Sequence, residues 1–345
     1  MQIIDRFEDL QDRLTEEGGS LRECHIIELD LSSIDWSGAQ LVGVVFERVR
    51  FDGTHFNNAA LIGVLFIGCD LVDTVFLETT FRQVVFGPDG DRGCVLTHAA
   101  FIGATGEELA FVRSDLSRVA FTGTHFSVAA VLDCSLEECR LLGADWQAAN
   151  FAGSSFAGGQ MVQCNFAGAS LAGTKLIAVI VIECDLAGAR LDGAAMPGAK
   201  LANCSLREID FTAASVAPIV FASSDLTNAR FDGLALGNAD LRETTLDGAR
   251  FVGTQLEGAR LAGARGAGVD MSGARLEGCD LSGTTLLESQ LVGAILRKAT
   301  VANTDLTASN LTRADLRMSE WSEATLAQVD MRGAILGPTS FDECD

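Results

Sequence analysis

Ten cysteines and four histidines are the residues of this chain best suited to metal or redox chemistry, and their spacing argues against both. Cys24, Cys69, Cys94, Cys134, Cys139, Cys164, Cys184, Cys204, Cys279 and Cys344 all stand at one place in a five-residue frame, two residues before a frame-centre position. No CxxC pair occurs, whereas zinc sites and dithiol redox motifs draw on such pairs. A thiol that keeps one phase of an apolar pattern acts as a small core hydrophobe. Cys164, Cys184 and Cys204 recur at twenty residues, but a disulfide there would have to form inside a packed interior. Ten reduced thiols point to the cytoplasm.

The histidines are His25, His55, His98 and His125, and two of them share the sequence GTHF. His55 and His125 are 70 residues apart. With four five-residue sides to a turn, that is three and a half turns, which places them on opposite faces. Ser, Asp and Glu recur evenly, and no GxxxxGK[ST] phosphate loop is present. A regular surface of this kind offers no enclosed pocket for catalysis. The sequence predicts a protein that is not an enzyme and uses no metal or cofactor.

The frame that positions these residues is the strongest signal in the chain. From Leu21 to Phe341 there are 65 positions in one phase of five, and 62 carry Leu, Phe, Ile, Val, Met or Trp; the exceptions are Asp91, Gly106 and Gly266. A helix repeats at 3.6 and a strand at 2, so a period of five would walk around either one. A corner every five residues resolves this, and four such sides close a square coil of twenty residues with each centre pointing to the axis. Two residues before each centre lies a second inward slot with small residues such as Ala199, Ala229, Ala259, Thr124, Thr254, Val64 and Ser224. Many glycines fall two residues after a centre, as do Asn203 and Asn228. Type II turns need positive φ there, which Gly accepts freely and Asn tolerates.

Runs such as Ala239-Asp240-Leu241-Arg242-Glu243, Ala314-Asp315-Leu316-Arg317-Met318 and Cys184-Asp185-Leu186-Ala187-Gly188 resemble the A(D/N)LXX consensus of the pentapeptide repeat proteins. The resemblance covers residues 21–345. It implies an all-β solenoid: a right-handed quadrilateral β-helix of pentapeptide repeats with about 16 coils. It also implies a class of partner, because well-understood members resemble duplex DNA in shape and acidity and protect type II topoisomerases from quinolones or peptide toxins.

Residues 1–20 are expected to form an N-terminal helical cap. Ile3, Ile4, Phe7, Leu10 and Leu14 recur at three- and four-residue spacing, which predicts an amphipathic helix over 3–16 ended by Gly18-Gly19. Its apolar stripe would cover the first coil, as a solenoid end requires. The repeats break at residues 87–94, where Pro88, Gly90 and two Asp in inward slots predict a loop or bulge. Five-residue bookkeeping leaves open a bulged pair of sides or a ten-residue excursion that rotates the preceding coils by two sides. Gly106 and Gly266 predict milder distortions.

Charge indicates the partner. With 47 acids against 25 bases the formal net charge is −22, which repels nucleic acid and anionic membranes and favours a basic protein surface; the family resemblance implies that this surface belongs to gyrase or topoisomerase IV. Mean hydropathy is +0.25, yet no run approaches the roughly 18 apolar residues of a membrane span. In an unbroken twenty-residue register, one side gathers Glu28, Glu47, Glu107, Glu108, Asp145, Asp185, Glu208, Asp225, Asp247, Glu288 and Asp305 against only Arg48, Arg207 and Arg265. The next side has Arg190, Arg230 and Arg250 placed to pair locally. The same register predicts an outward apolar ladder of Val42, Ile62, Ile102, Leu142, Val162 and Ile182, interrupted by Arg82 and Thr122. Such a ladder would serve a protein-interaction scaffold unrelated to topoisomerases. At the C-terminal end, Trp321, Met331, Leu336, Pro338 and Phe341 are expected at the junction of a tail-to-tail homodimer that hides the last coil.

Overall fold

The computed structural model describes every residue except Ser33. It comprises two compact units, Met1–Val179 and Ile180–Asp345, each built of stacked square coils. All the strands pair in parallel, one coil to the next. In the first unit Leu41 lies beside Leu61 and Phe46 beside Phe66; in the second, Val181 lies beside Leu201 and Gly266 beside Leu286. The offset of twenty residues closes four sides per coil. In the first unit the sides start at Leu21, Ile26, Leu31 and Trp36, and in the second at Val181, Leu186, Leu191 and Met196.

The centres fill the bore as the frame predicts. Phe46, Phe66, Phe86 and Phe111 are fully buried, and their rings stack at 5.2, 4.7 and 4.9 Å between neighbours. Phe211, Phe231 and Phe251 do the same in the second unit at 4.7 Å. Offset stacking of this kind adds to the burial of each ring. Most Thr and Ser in the small slot satisfy themselves by donating to a centre's carbonyl, as Thr54 Oγ1 does to Phe51 O at 2.7 Å and Thr254 Oγ1 to Phe231 O at 2.8 Å; Thr124 does not.

Gly106 and Gly266 keep the strand register, pairing with Phe81 and Leu286. A Cβ on Gly106 would meet Phe126 Cδ1 at 2.9 Å and Leu109 Cδ2 at 3.0 Å, and one on Gly266 would meet Val269 Cγ2 at 2.7 Å. Each missing centre is therefore filled by a larger residue in the following small slot, Leu109 or Val269. The corners take positive φ whether or not they hold Gly: Glu138, Asn228 and even Val128 adopt φ of 55°, 58° and 62°. Closure of the square, not residue preference, imposes that conformation.

The amino-terminal cap differs from the expected helix over 3–16. Gln2–Ile4 is a strand that pairs with Cys24, His25 and Ile26, and the helix spans Phe7–Glu16. The first coil offers unpaired backbone groups on its open face, and two β-branched isoleucines satisfy them better as a strand than as a helical turn. Ile4 and Leu10 are buried against the bore, while Ile3 and Phe7 stay exposed. The helix ends as predicted: Gly18 and Gly19 have φ of 63° and 82°, and Gly19 N–H donates to Leu14 O at 2.8 Å.

The break at residues 87–94 is neither a bulged pair of sides nor a ten-residue excursion. It is an insertion of one side's length. Val85 pairs with Leu65 at an offset of twenty but with Ala110 at twenty-five, and Asp70 likewise pairs with Val95. The extra residues leave the coil as a tight hairpin in which Asp89 and Arg92 exchange backbone hydrogen bonds of 2.7 and 3.0 Å around Gly90 and Asp91. Both aspartates point out of the bore. Arg92 bonds Asp70 at 2.6 Å, and Arg48 bonds Asp89 at 2.8 Å. Gly93 brings the chain back so close to Arg113 that a Cβ would sit 1.7 Å from its carbonyl oxygen.

Candidate interaction surfaces

The insertion rotates the coils before it by one side relative to the unbroken register, so the acidic face read from sequence divides. Glu28 and Glu47 belong to the Ile26 side, where Arg48 meets Glu28 at 2.9 Å and His25 meets Glu47 at 2.9 Å. Glu107, Glu108 and Asp145 belong to the Leu21 side, with Glu107 beside Arg82 at 3.0 Å. His55 and His125 fall on adjacent sides, not opposite ones, and stay about three and a quarter coils, roughly 16 Å, apart along the axis. Among the described residues no group of three or more His, Cys, Asp or Glu is placed to hold a metal ion, and no helix is long and apolar enough to cross a membrane.

In the second unit the acidic face stays whole. Asp185, Ser205, Asp225, Thr245, Arg265, Thr285 and Asp305 stack in one row of the Leu186 side. Glu208, Asp247 and Glu288 stand on the same side. Six acids face two bases, Arg207 and Arg265, and the ion pair found there is Arg207 to Asp225 at 3.3 Å. Acids in the row are separated by at least one Ser or Thr, so like charges stand at least two coils apart, about 9.6 Å or more. The Leu191 side is balanced instead: Arg230 pairs with Asp210 at 2.9 Å, Arg250 with Asp232 at 3.2 Å, and Arg190 with Asp192 at 3.2 Å.

Several row aspartates have a local task the sequence reading missed. Asp185 Oδ1 accepts the Ala187 N–H at 2.9 Å, Asp225 Oδ1 that of Thr227 at 3.0 Å, and Asp305 Oδ1 that of Thr307 at 2.9 Å. These are Asx turns, which stabilise the corner that follows. The preference for Asp or Asn before a centre follows from this geometry. Asp240 and Asp315 go further: Arg242 beside Asp240, and Arg317 with Arg297 beside Asp315, hold both carboxyls below the usual carboxylate range.

The apolar ladder divides as well. Val42 and Ile62 stack on the Leu21 side beneath Arg82. Ile102, Thr122, Leu142 and Val162 stack on the Trp36 side, and the register adds Leu77 below Ile102. Ile182 belongs to the second unit, beside Ala202. Leu142 is 49% exposed and Ile102 39%.

The cysteines sit in the inward slot as predicted, and all except Cys344 are buried. The insertion makes Cys69 and Cys94 neighbours one coil apart, a stacking hidden in the unbroken register. Their thiols donate to Phe46 O and Phe66 O, each at 3.3 Å. Burial pushes Cys134, Cys139 and Cys279 up to about 12. At the C-terminal end Trp321 is buried, its ring 5.4 Å from that of Phe341 in the next coil, and its indole N–H donates to Ser319 Oγ at 2.8 Å. Met331 is half-buried, whereas Leu336 is 45% exposed, Phe341 is 40% exposed and Pro338 is exposed.

A parallel solenoid of four five-residue sides, with large centres and small inward partners, defines the class of square β-helices. The chain belongs to the pentapeptide repeat family: eight copies of the pentapeptide repeats match residues 20–58, 133–168, 164–208, 182–216, 224–263, 256–283, 274–313 and 309–345. A pentapeptide repeat protein of the Arabidopsis thaliana thylakoid lumen is 36% identical over 27% of this chain, which spans 65% of that protein, with a TM-score of 0.27. QnrB1, a plasmid-mediated fluoroquinolone resistance protein, is 20% identical over 67% of this chain and 92% of its own, with a TM-score of 0.24. HetL, involved in heterocyst differentiation regulation in the cyanobacterium Nostoc, is 24% identical over 72% and 91%, with a TM-score of 0.22. No curated protein matches the sequence.

Proposed function

We propose that this chain is a non-enzymatic cytoplasmic binding protein whose Leu186 side docks on a basic protein surface, the partner being a type II topoisomerase such as DNA gyrase or topoisomerase IV. The observation that carries the reading is the imbalance of that side, six acids against two bases, beside a neighbouring side whose charges are internally paired. A dense anionic row attracts and orients a basic partner. The choice of topoisomerase rests on the family resemblance, in which acidic rods stand in for duplex DNA. The exposed last coil around Leu336, Pro338 and Phe341 supports self-association through that end, and sedimentation equilibrium at micromolar concentration tests it by mass.

The experiment is a supercoiling assay with purified gyrase, with and without a quinolone. Inhibition or protection is expected. The variant D185N/E208Q/D225N/D247N should weaken the effect and flatten its salt dependence, because fewer charges would stand in for phosphates. Asn keeps the Asx turns of Asp185 and Asp225, so the coil is preserved. Neutralising Asp192, Asp210, Asp232 and Asp270 on the Leu191 side is the control. An absence of any effect on gyrase over a wide concentration range would reject the topoisomerase reading.

A second reading has its own observation. The ladder of half-buried Leu77, exposed Ile102, Thr122, exposed Leu142 and half-buried Val162 on the Trp36 side of the first unit supports a scaffold that docks a partner by apolar contact.

A further inference from the structure

We infer that the Trp36 side of the first unit binds an extended segment of a partner protein in which an acidic residue lies two positions from a branched aliphatic one. The inference rests on the apolar-ladder reading and adds the partner's chemistry. Two depressions meet on this side and share Ala120, Arg140 and Gln160. One, of about 290 Å³, is continued by Thr122, Leu142 and Val162. The other, of about 530 Å³, turns the corner past His98, Arg118 and Glu138. The ladder thus forms the apolar half of a trough whose other half is cationic.

The two arginines differ. Arg118 is engaged by Glu138 at 2.9 Å. Arg140 is exposed and has no ion-pair partner among the described residues, in a chain of net charge −22 where cations are mostly paired. Arg140 and Leu142 stand two residues apart on one strand, on the same outward face. An extended segment lying along that strand repeats its side chains at the same spacing, about 6.8 Å. A carboxylate over Arg140 then places its second neighbour over Leu142, with Val162 one coil above. Most of the surface repels an acidic segment, so the free guanidinium selects where it lands.

The test uses two fluorophore-labelled hexapeptides, Ser-Glu-Ser-Val-Ser-Val and Ser-Lys-Ser-Val-Ser-Val (the Glu and the Lys peptide), in which the charged residue stands two positions from a Val, titrated by anisotropy at low salt. Arg140→Glu should weaken the Glu peptide about fivefold and strengthen the Lys peptide. Arg190→Glu in the second unit should change neither more than twofold. Leu142→Ser should weaken the Glu peptide as well. If both peptides bind alike, ignore Arg140→Glu and are lost in Leu142→Ser, the apolar ladder docks its partner but the acidic preference is overturned. If neither peptide binds, both readings fall. If decanoate displaces the Glu peptide as well as unlabelled peptide does, the trough is a site for aliphatic carboxylates and the proposed protein segment is wrong.

Discussion

Val85 pairs with Ala110, twenty-five residues further along the chain, although its other neighbour Leu65 is twenty residues away. That single difference re-sorts the surface of the first unit. It separates Glu28 and Glu47 from Glu107, parts Ile62 from Ile102, stacks Leu77 under Ile102, and brings Cys69 beside Cys94. The bore is untouched, because an insertion of one side preserves the phase of five and the centres outside the hairpin still point inward.

Deleting Pro88–Arg92 should therefore be tolerated. The deletion leaves Phe86-Gly87-Gly93-Cys94-Val95-Leu96, one regular side with glycine at the corner that needs positive φ. The ion pairs lost, Arg92 with Asp70 and Arg48 with Asp89, are part-exposed and cost no more than about 1 kcal/mol together. Urea unfolding monitored by circular dichroism checks this, and loss of the cooperative transition would refute the one-side insertion.

The same contrast explains what was legible in the sequence. Bore, inward slots and corners were readable because each depends on the type of one residue at one phase, as Phe46, Cys94 and Gly253 show. The hairpin's place was also readable, since Asp89, Asp91 and Pro88 do not suit an inward strand. Its length was not, because phase counts residues modulo five while face membership counts them modulo twenty. The acidic row from Asp185 to Asp305 was legible because it lies wholly in the second unit, beyond the insertion. The strand Gln2–Ile4 was hidden for a different reason: its pairing partner, Cys24–Ile27, is set by the fold and leaves no mark on local periodicity.

Thr124 should be improved by removing its hydroxyl. Its Oγ1 is buried without a hydrogen-bond partner, whereas Thr54 in the equivalent slot donates to Phe51 O. Thr124→Val replaces an unsatisfied polar atom by a methyl of similar size and should stabilise the protein by about 1–2 kcal/mol. Thr54→Val breaks a made bond, while Phe51 O keeps the Thr54 N–H at 3.0 Å and Thr74 Oγ1 at 3.1 Å, so it should destabilise by about 0.5–1 kcal/mol. Equal effects of the two substitutions in thermal unfolding would contradict this account.

Val128 occupies a corner at φ 62° with its side chain 74% exposed. A β-branched residue is a poor occupant of the left-handed region, and here it gains little burial in return. Val128→Gly should raise stability by about 1 kcal/mol, the relief of strain outweighing the greater freedom of glycine in the unfolded chain. A lower melting temperature in the variant would mean that closure of the square carries no strain at this corner.

Alkaline pH should unfold the protein through its buried thiols. The usual thiol value is 9.0, and burial raises Cys134, Cys139 and Cys279 to about 12 in the folded state. A folded pKa above the unfolded one means the folded chain holds its protons longer. The stability these thiols contribute is therefore fully present below pH 9 and is lost as pH rises from 9 towards 12. In that window each thiol removes about 1.4 kcal/mol per pH unit, because the unfolded chain can release a proton that the bore retains. Replacing all three by Ala lowers stability at pH 8 through the small cavities created, but it should also flatten the decline between pH 9 and 10.5. The comparison is made by urea midpoints of the two proteins across that range. Parallel declines would show that alkaline unfolding is governed by groups other than these thiols.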